Sequence, residues 1–387
     1  MDPVGEFKRR VAAELGDGVS VALFWKGRVA LYALLRAVGV GPGDEVILPA
    51  FTCVVVPSAI LYLGATPVYA EVDERTYNVD VGRLAARITP RTRVILAQNT
   101  FGLSPDSDAI LELSRDRRWG RPIRVIEDCA HGFGGRYRGR PNGVSAEAAF
   151  FSTQWSKPLS TGLGGIAVTR DPEIAERLAA VERAATPPTV RERLLLAALA
   201  RARSHPLVEE HHWKAVKAYR FLGRHGFVMG SSDARELEAP VEPPGFLKGF
   251  SPLQATLGLA ELERLPARIA HRRRIARLYD ERLATLGFPV AAPPDDDGHG
   301  HLKYPLRVRR REALLAEAQR RELELGDWFL SPIHPIRSRL DRWRYRVGDN
   351  PVAERAAAEM VNLPTHERID EAWIDRLFRT VDLRAYR

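Results

Sequence analysis

The sequence predicts an α/β protein in which a mostly parallel sheet is flanked by helices. Three observations support this prediction. Short β-branched runs alternate with segments of helical periodicity between residues 45 and 183. The 387 residues are 45% hydrophobic and 28% charged, which is enough apolar material for a full core in two unequal lobes. The two cysteines, Cys53 and Cys129, lie far apart in apolar segments, which argues against a disulfide framework or a zinc site.

The alternation can be followed element by element. The predicted strands are EVILP (45–49), PVYAEV (67–72), RVILAQ (93–98), IRVIED (123–128), AAFFS (148–152) and IAVT (166–169). The predicted helices between and after them are VVVPSAILYLG, VDVGRLAARI, SDAILELSRDR and DPEIAERLAAVER. Parallel strands need crossover connections, which helices supply, and ligands of such sheets gather at the carboxyl ends of the strands.

The order of these segments predicts two domains. A large domain covers residues 1–250 and includes a helical insertion at about 184–240. Residues 251–387 form a linking helix and a smaller C-terminal α+β domain. The linking helix is expected at 252–286, and the second lobe begins after it with FPVAAP, HLKYPLRV, a helix at 311–322, LGDWFL and two closing helices.

The N-terminal residues show no apolar core or cleavage signal, and this, with the lack of a membrane-length apolar run, predicts a cytoplasmic protein; the charge fits an ordinary globular protein. Its 58 Lys and Arg residues exceed 49 Asp and Glu residues, giving a net charge of +9 and a pI of about 9.7. Most of the excess is arginine in helical segments such as AHRRRIARLYDERL, and no nucleic-acid-binding signature accompanies it, so no nucleic-acid partner is expected. No stretch approaches the roughly 20 apolar residues of a membrane span.

One lysine is placed for chemistry by the segments around it. Lys157 lies a few residues past the predicted strand AAFFS, and Asp128 ends another strand, so both belong at the carboxyl edge of the sheet. An enzyme that uses pyridoxal 5′-phosphate needs a lysine to bind the cofactor covalently and a carboxylate to keep its pyridine nitrogen protonated. Ser152 and the Gly27-Arg28 turn before a helix can surround the phosphate. Each of these signals is unspecific alone, since a lone lysine is usually a surface residue and a carboxylate after a strand is often a helix cap.

Longer blocks of the sequence point to one family. They are GVGPGDEVILPAFT, LYLGATPVYAEVDERTYNVD, AARITPRTRVILAQNTFG, IEDCAHGFGGRYRGRPNG, FFSTQWSKPLSTGLGG and SPLQATLGLAELERL. In these blocks the sequence resembles the sugar aminotransferases of the DegT/DnrJ/StrS type, which are fold type I pyridoxal-phosphate enzymes. The resemblance runs from about residue 30 to 183 and resumes at about 245, so it covers most of the chain.

The resemblance implies a role for each matching site residue. The covalent lysine falls on Lys157, the pyridine-binding aspartate on Asp128, and the residue near the ring three positions later on His131. The phosphate-binding serine falls on Ser152, and the backbone of the Gly27-Arg28 turn would face the phosphate. Lys157 would also act as the proton shuttle of the reaction.

Three positions depart from the family pattern. The aromatic that usually stacks on the cofactor falls on Cys53, so this residue would line the cofactor without stacking on it. The asparagine that family members send across the dimer interface to the phosphate falls on Leu247, and the threonine of the glycine turn is Arg28. We expect Arg28 to bind the cofactor phosphate in their place, because guanidinium groups pair well with phosphate. The rival interpretation is that Arg28 points towards substrate or solvent and only the backbone turn serves the phosphate.

The expected function is amino transfer, commonly from glutamate, onto a keto group of a nucleotide-linked sugar, by a homodimer whose active sites lie between two subunits. The main alternative is another pyridoxal-phosphate reaction, or a non-sugar amino acceptor in a biosynthetic pathway. A non-catalytic scaffold is the third possibility, which the joint presence of Lys157, Asp128 and Ser152 disfavours.

The insertion carries nine Lys and Arg residues against three Glu residues between positions 183 and 230. It is predicted to form two helices separated near His205-Pro206, and we favour a hairpin packed on the body of the protein. The alternative is a lid or docking surface for an anionic substrate. His211 and His212 do not suggest a metal site, because adjacent helical positions point in different directions.

Two other aromatic residues are candidates for the site. Trp155, beside the lysine, is expected to form a wall of the cofactor pocket or to pack in the core. His334, in FLSPIHPIRS, aligns with a stretch near the substrate pocket of the family.

Overall fold

The computed structural model describes residues 2–120, 122–203, 234–290 and 298–387. The strands of these ranges are β1 (Ser20–Phe24), β2 (Glu45–Pro49), β3 (Thr52–Cys53), β4 (Thr66–Ala70), β5 (Thr92–Gln98), β6 (Arg124–Asp128), β7 (Arg136–Tyr137), β8 (Arg140–Pro141), β9 (Ala148–Ser152), β10 (Gly165–Thr169), β11 (Lys303–Arg307), β12 (Ile333–His334) and β13 (Met360–Pro364). The α-helices are α1 (Pro3–Leu15), α2 (Gly27–Ala37), α3 (Val55–Tyr62), α4 (Val81–Leu84), α5 (Ser107–Ser114), α6 (Pro172–Ala184), α7 (Val190–Arg203), α8 (Ala234–Glu238), α9 (Pro252–Thr285), α10 (Arg311–Arg320), α11 (Pro351–Glu359) and α12 (Glu371–Thr380).

A seven-stranded sheet forms the centre of the molecule, in the order β1-β10-β9-β6-β5-β2-β4. Strands β9, β6, β5, β2 and β4 pair in parallel, whereas β10 runs antiparallel to both of its neighbours. The predicted mostly parallel sheet is therefore confirmed. The arrangement brings the carboxyl ends of β5, β6 and β9 side by side at one edge.

Both faces of the sheet are buried, which explains why its strands read as continuous apolar runs. In β5, Val94 and Leu96 face the largest hydrophobic core, where α2, α3 and α6 pack. Ile95 and Ala97 alternate with them and face a second core on the other side. The period of two along the strand thus separates two layers of packing.

All six predicted strands are confirmed, with ends shifted by no more than two residues. Strands β1 and β13 were not predicted. β1 is a short edge strand that pairs with β10, and β13 follows α11 without any intervening turn. The run AAAEMVNLP changes from helix to strand at Met360, with no glycine or proline at the junction to mark the change.

A further hydrophobic core lies beyond the middle of α9. The second half of this helix contributes Ile275, Tyr279 and Leu283, which pack with β11, β13, α10 and α12. The long linking helix is confirmed and begins with a capping box formed by Ser251 and Gln254. The predicted helix at 311–322 is confirmed as α10, and the two closing helices as α11 and α12.

Two segments named for the second lobe contain no regular strand in the described residues. In FPVAAP, residues 288–290 are irregular, and residues 291–293 lie outside the described ranges. In LGDWFL, Gly326 makes an isolated bridge to Asn362. The proposed helix break at His205-Pro206 and the pair His211-His212 also lie outside the described residues.

The segment after Gly326 forms a small two-stranded sheet with β3, separate from the main sheet. Its strand β12 pairs in parallel with β3, so that His334 lies beside Cys53. Thr52 N–H donates to the Pro332 carbonyl (2.9 Å), and Val54 N–H donates to the His334 carbonyl (2.8 Å). None of the described helices combines the length and the apolar character needed to cross a membrane.

Candidate active site

A cavity opens at the carboxyl edge of the sheet, where β5, β6 and β9 end. The seven residues predicted for the cofactor site all line this one cavity: Gly27, Arg28, Cys53, Asp128, His131, Ser152 and Lys157. They come from separate parts of the sequence, and the parallel strand order brings them together. The further candidates Trp155 and His334 do not line it. Phe150, Leu163 and Phe329 contribute apolar wall, and Gln98 and Asn99 contribute amides from the end of β5.

Lys157 lies in the loop between β9 and β10, with its ammonium nitrogen facing Trp328. The distance from Lys157 Nζ to the centre of the Trp328 ring is 4.9 Å. Burial lowers the pKa of Lys157 from 10.5 to about 8, although the neighbouring Cys53 and Asp128 oppose this shift. The amine is therefore neutral in a substantial fraction of molecules near pH 8, which a nucleophile or a proton acceptor requires.

Asp128 is the last residue of β6, and 4% of its surface is exposed. Ala130 N–H donates to Asp128 Oδ1 (3.0 Å). Burial raises the pKa of the Asp128 carboxyl to about 6, and that hydrogen bond only partly offsets the effect. A carboxylate with this environment is well suited to a cationic N–H group in the cavity, which would stabilise its charged form.

His131 is buried against aromatic side chains. Phe101 N–H donates to His131 Nδ1 (3.2 Å), so the proton of the neutral ring is on Nε2. Burial holds the pKa of His131 well below its usual range, and the charges of Lys157 and Lys303 lower it further. The ring also stacks on Trp328, with 5.5 Å between ring centres and an interplanar angle of 18°. His131 is thus a neutral hydrogen-bond donor at the cavity.

The phosphate end of the cavity is formed where α2 begins. Gly27 is packed so closely against Ser152 that a Cβ atom at position 27 would lie 2.8 Å from Ser152 Cβ. The N-cap residue of α2 is Lys26, whose side chain has no acceptor for the N–H groups of the first turn. A helix N-terminus beside a serine hydroxyl is a suitable environment for an anion.

Arg28 lies at this same end, where it is 6% exposed. Its Nη1 forms an ion pair with Glu236 Oε1 of α8, and both side chains are 5% exposed. The sequence suggested that Arg28 binds the phosphate or, as the rival interpretation, points towards substrate or solvent. The ion pair with a carboxylate from the insertion was not among these expectations. Arg28 is one of the residues that line the cavity.

Cys53 takes the position where family members carry an aromatic side chain, and its neighbourhood supplies aromatic rings from elsewhere. The pairing of β3 with β12 places His334 next to it, with a ring centre 6.0 Å from that of Trp328. Leu330 N–H donates to His334 Nδ1 (3.1 Å), and burial lowers the pKa of His334 to about 4. His334 is therefore neutral, like His131.

The side chain of Leu247 lies in an apolar environment. Its side chain packs against the largest hydrophobic core, while its carbonyl accepts a hydrogen bond from Thr186 N–H (3.0 Å). Trp155, in turn, packs with Leu196 of α7, in a small cluster beside the lysine loop. It is thus a packing residue that supports this loop.

The comparisons with known proteins agree with this geometry. A family model described as the DegT/DnrJ/EryC1/StrS aminotransferase family matches residues 2–197 and 208–382. The chain belongs to this family. It is 31% identical over 380 residues to GDP-perosamine synthase from Caulobacter vibrioides, covering 97% of this chain and 88% of that protein.

Two further similar proteins extend the comparison. UDP-2-acetamido-2-deoxy-3-oxo-D-glucuronate aminotransferase from Pseudomonas aeruginosa is 30% identical over 372 residues, which is 96% of this chain and 88% of that protein. The crystal structure of S. venezuelae DesV in complex with a ketimine intermediate superimposes with a TM-score of 0.74 at 27% identity, covering 99% of this chain and 88% of that chain. The fold is that of the fold type I aminotransferases, as predicted.

Three residues that contact residues of this site were not identified from the sequence. Trp328 and Lys303 come from the C-terminal part of the chain, and Lys303 Nζ lies 4.7 Å from the centre of the Trp328 ring. Glu236 comes from the insertion. The tryptophan is six residues before His334 in LGDWFLSPIH, and this proximity is the one local signal that connects it with the substrate side of the pocket.

Proposed function

We propose that this chain is a pyridoxal-phosphate-dependent aminotransferase that delivers an amino group to a keto group of a nucleotide-linked sugar. One observation carries the proposal: Lys157, Asp128 and Ser152, from three segments of the sequence, line a single cavity at the carboxyl edge of a parallel sheet. The relatives named above support the substrate class, because GDP-perosamine synthase and the UDP-linked glucuronate aminotransferase are both named for nucleotide sugars.

The residues present fit the cofactor. Asp128 is a buried carboxylate whose pKa is raised by burial, and its hydrogen bond to Ala130 N–H and the charge of Lys157 offset this only in part. A protonated pyridine nitrogen would stabilise its charged form further. The close approach of Gly27 and Ser152 at the start of α2 offers N–H and O–H donors to a phosphate. Lys157 offers the amine for covalent attachment. When bound, the cofactor supplies an electron sink for the charge that develops on the substrate carbon.

The residues of the chain then have separate tasks. Lys157 Nζ takes and returns the proton at the substrate carbon that carries nitrogen, which its lowered pKa allows near neutral pH. His131 donates a hydrogen bond from Nε2 to an oxygen in the cavity, since its Nδ1 is already bound by the Phe101 N–H. Trp328 provides the aromatic surface that Cys53 cannot provide, from the opposite end of the sequence. Phe329 helps to exclude water.

The donor and the assembly are also proposals. Glutamate is the amino donor that the family resemblance implies, and a homodimer is the expected assembly because family active sites lie between two subunits. A cytoplasmic location remains a prediction from the sequence.

An absorption experiment tests the proposed function. The purified protein loaded with the cofactor is expected to show the absorption band of the lysine-bound cofactor. Glutamate should bleach this band and release one equivalent of 2-oxoglutarate, and a nucleotide-linked keto sugar should restore it. A band that neither glutamate nor any other amino acid bleaches would contradict aminotransfer. Bleaching by glutamate without recovery on addition of keto sugars would contradict only the acceptor.

The lowered pKa of Lys157 predicts how cofactor capture depends on pH. Only the neutral amine attacks an aldehyde, and about half of a group with a pKa of about 8 is neutral at pH 8, against well under about 1% for an ordinary lysine. The rate constant for capture by the cofactor-free protein should therefore rise with pH and level off slightly above pH 8. Stopped-flow absorbance between pH 6.5 and 10 measures it. A rate that continues to rise to pH 10 would indicate an unshifted lysine.

A further inference from the structure

The loop between β9 and β10 carries Lys157, and its two arms are joined by hydrogen bonds. In this lysine loop, Thr153 N–H donates to the Gly164 carbonyl (2.9 Å), and Trp155 N–H donates to the Gly162 carbonyl (3.1 Å). Lys157 lies between the joined arms, at the far end of the loop. Whatever fixes the arms therefore contributes to the position of its amine.

One side of the lysine loop is in contact with α7 of the insertion. Leu196 of α7 is fully buried. A Cβ atom on Gly162 would lie 2.7 Å from Leu196 Cδ1 and 2.9 Å from Trp155 Cη2, which is closer than real Cβ atoms approach other atoms. Gly162 also has a φ of +84°, a backbone conformation that favours glycine. Helix α7 therefore lies as close to the backbone of the loop as a glycine permits.

Leu196 also connects the lysine loop with the segment before α2. It packs in one small hydrophobic cluster with Trp25 and Leu163. Leu163 belongs to the lysine loop and is one of the residues that line the cavity. Trp25 lies two residues before Gly27, which is at the phosphate end of the cavity. One side chain of the insertion thus packs with two segments that form the proposed site.

The first turn of α7 is attached to the body of the protein. Glu192 pairs with Lys248, and these side chains are 25% and 16% exposed. Thr189 N–H donates to Glu192 Oε2 (2.8 Å) at the start of the helix. The Lys248 carbonyl accepts a hydrogen bond from Trp25 N–H (2.9 Å). Leu196 lies about one turn after Glu192, so it has a fixed support from which its side chain can hold a loop.

The far end of the lysine loop has a support of its own. Leu159 is fully buried in a core formed with α1 and α9. Arg268 Nη1 donates to the Pro158 carbonyl (3.2 Å). Loss of Leu196 is therefore expected to shift the arms of the loop without unfolding it. A displacement of about 1 Å at a reacting group can cost about 100-fold in rate, so even a smaller shift of Lys157 Nζ is measurable.

We infer that Leu196 is a positioning residue for Lys157, which it holds within reach of the cofactor by packing against the lysine loop. The inference rests on the proposed function, in which Lys157 binds the cofactor covalently. It assigns the first helix of the insertion to the assembly of the active site in its own subunit. Packing in the core alone would affect only stability, whereas a positioning role also affects how fast the amine reacts.

The test measures how fast the cofactor-free full chain captures pyridoxal 5′-phosphate. At saturating cofactor, the first-order rate constant, extrapolated from its pH profile to the neutral amine, reports the approach of Lys157 Nζ to the aldehyde carbon. Leu196→Ala is expected to lower this rate constant about tenfold. The dissociation constant of pyridoxamine 5′-phosphate, which cannot form the covalent bond with lysine, should change by less than about twofold. Stopped-flow absorbance and fluorescence titration provide the two quantities.

Three further variants complete the comparison. Leu377 of α12 is fully buried in the core beyond the middle of α9, so Leu377→Ala makes the same chemical change at a different place. It should lower the melting temperature to a similar extent and leave the capture rate constant unchanged. Leu196→Met conserves the volume of the side chain and should keep the rate constant within about twofold of the wild type. If Leu196→Ala does not fold, Leu196→Val removes less volume and should still lower the rate constant about threefold.

The outcomes separate this inference from the proposed function. Capture at the wild-type rate in Leu196→Ala would overturn the positioning role and leave the proposed function intact. An equal fall in Leu377→Ala would attribute the effect to lost stability and would also overturn it. Weaker binding of pyridoxamine 5′-phosphate by the same factor would show, against the inference, that Leu196 supports the whole site and not Lys157 in particular. No capture by the wild-type protein would contradict the proposed function, and the inference would fail with it.

Discussion

Replacement of Lys157 by alanine is expected to abolish turnover. The variant loses the amine that we assign to covalent attachment, together with the group that moves the substrate proton. Borohydride treatment should then fail to fix the cofactor to the chain, whereas it should label the wild-type protein at Lys157. Mass spectrometry of the reduced and digested protein identifies the labelled residue.

Lys303 provides the matched control for this experiment. Its amine lies 4.7 Å from the Trp328 ring centre, which is close to the 4.9 Å of Lys157. Lys303→Ala should retain the covalent label, since its lysine comes from β11 and is not part of the cavity lining. Labelling of Lys157→Ala, or loss of the label in Lys303→Ala, would show that our assignment of the covalent role to Lys157 is wrong.

Asp128→Asn is expected to decrease kcat by about 100- to 1,000-fold, with the fold intact. The amide keeps the shape of the side chain but cannot stabilise a protonated pyridine nitrogen, so the electron sink is weakened. Burial already raises the pKa of the Asp128 carboxyl to about 6, which leaves the group ionised at pH 7.5 and able to pair with a cation. The measurement is single-turnover kinetics with glutamate, in which loss of the chemical step is separated from weaker binding.

Glu127, the preceding residue of β6, serves as the control because its side chain points to the other face of the strand. It accepts hydrogen bonds from the N–H groups of Gly143 (3.0 Å) and Ser145 (2.7 Å), and it does not line the cavity. Glu127→Gln should therefore lower the melting temperature, with only a small effect on kcat. Normal single-turnover rates in Asp128→Asn would contradict the electron-sink argument.

The part of the site that could be predicted is the part encoded locally. Asp128, Ser152 and Lys157 each end or follow an apolar run, and the rule that parallel strands present their carboxyl ends together was enough to predict that they meet. Their common cavity is consistent with that rule. Their individual roles remain predictions until the variants are measured.

The rest depended on contacts that no local pattern encodes. The pairing of Arg28 with Glu236 joins residues 208 positions apart, and two charged side chains in separate helical segments have many other possible partners. Trp328 is held by a contact distant in the chain, because its N–H donates to Asn362 Oδ1 (2.8 Å). The strand β12 that follows it has two residues, which leaves no periodicity to detect. Likewise β13 continues the sequence of α11 without a break, so tertiary pairing with β11 determines its structure.

The ladder between β3 and β12 has a consequence for engineering this enzyme. Two backbone hydrogen bonds hold the Pro332–His334 stretch against Thr52 and Val54, so the backbone beside Cys53 is part of the scaffold. Altered selectivity is then better sought by exchanging side chains such as Trp328 and His334 on that fixed backbone than by lengthening or shortening the loop. A change of loop length would shift the pairing register and displace every ring in the wall at once.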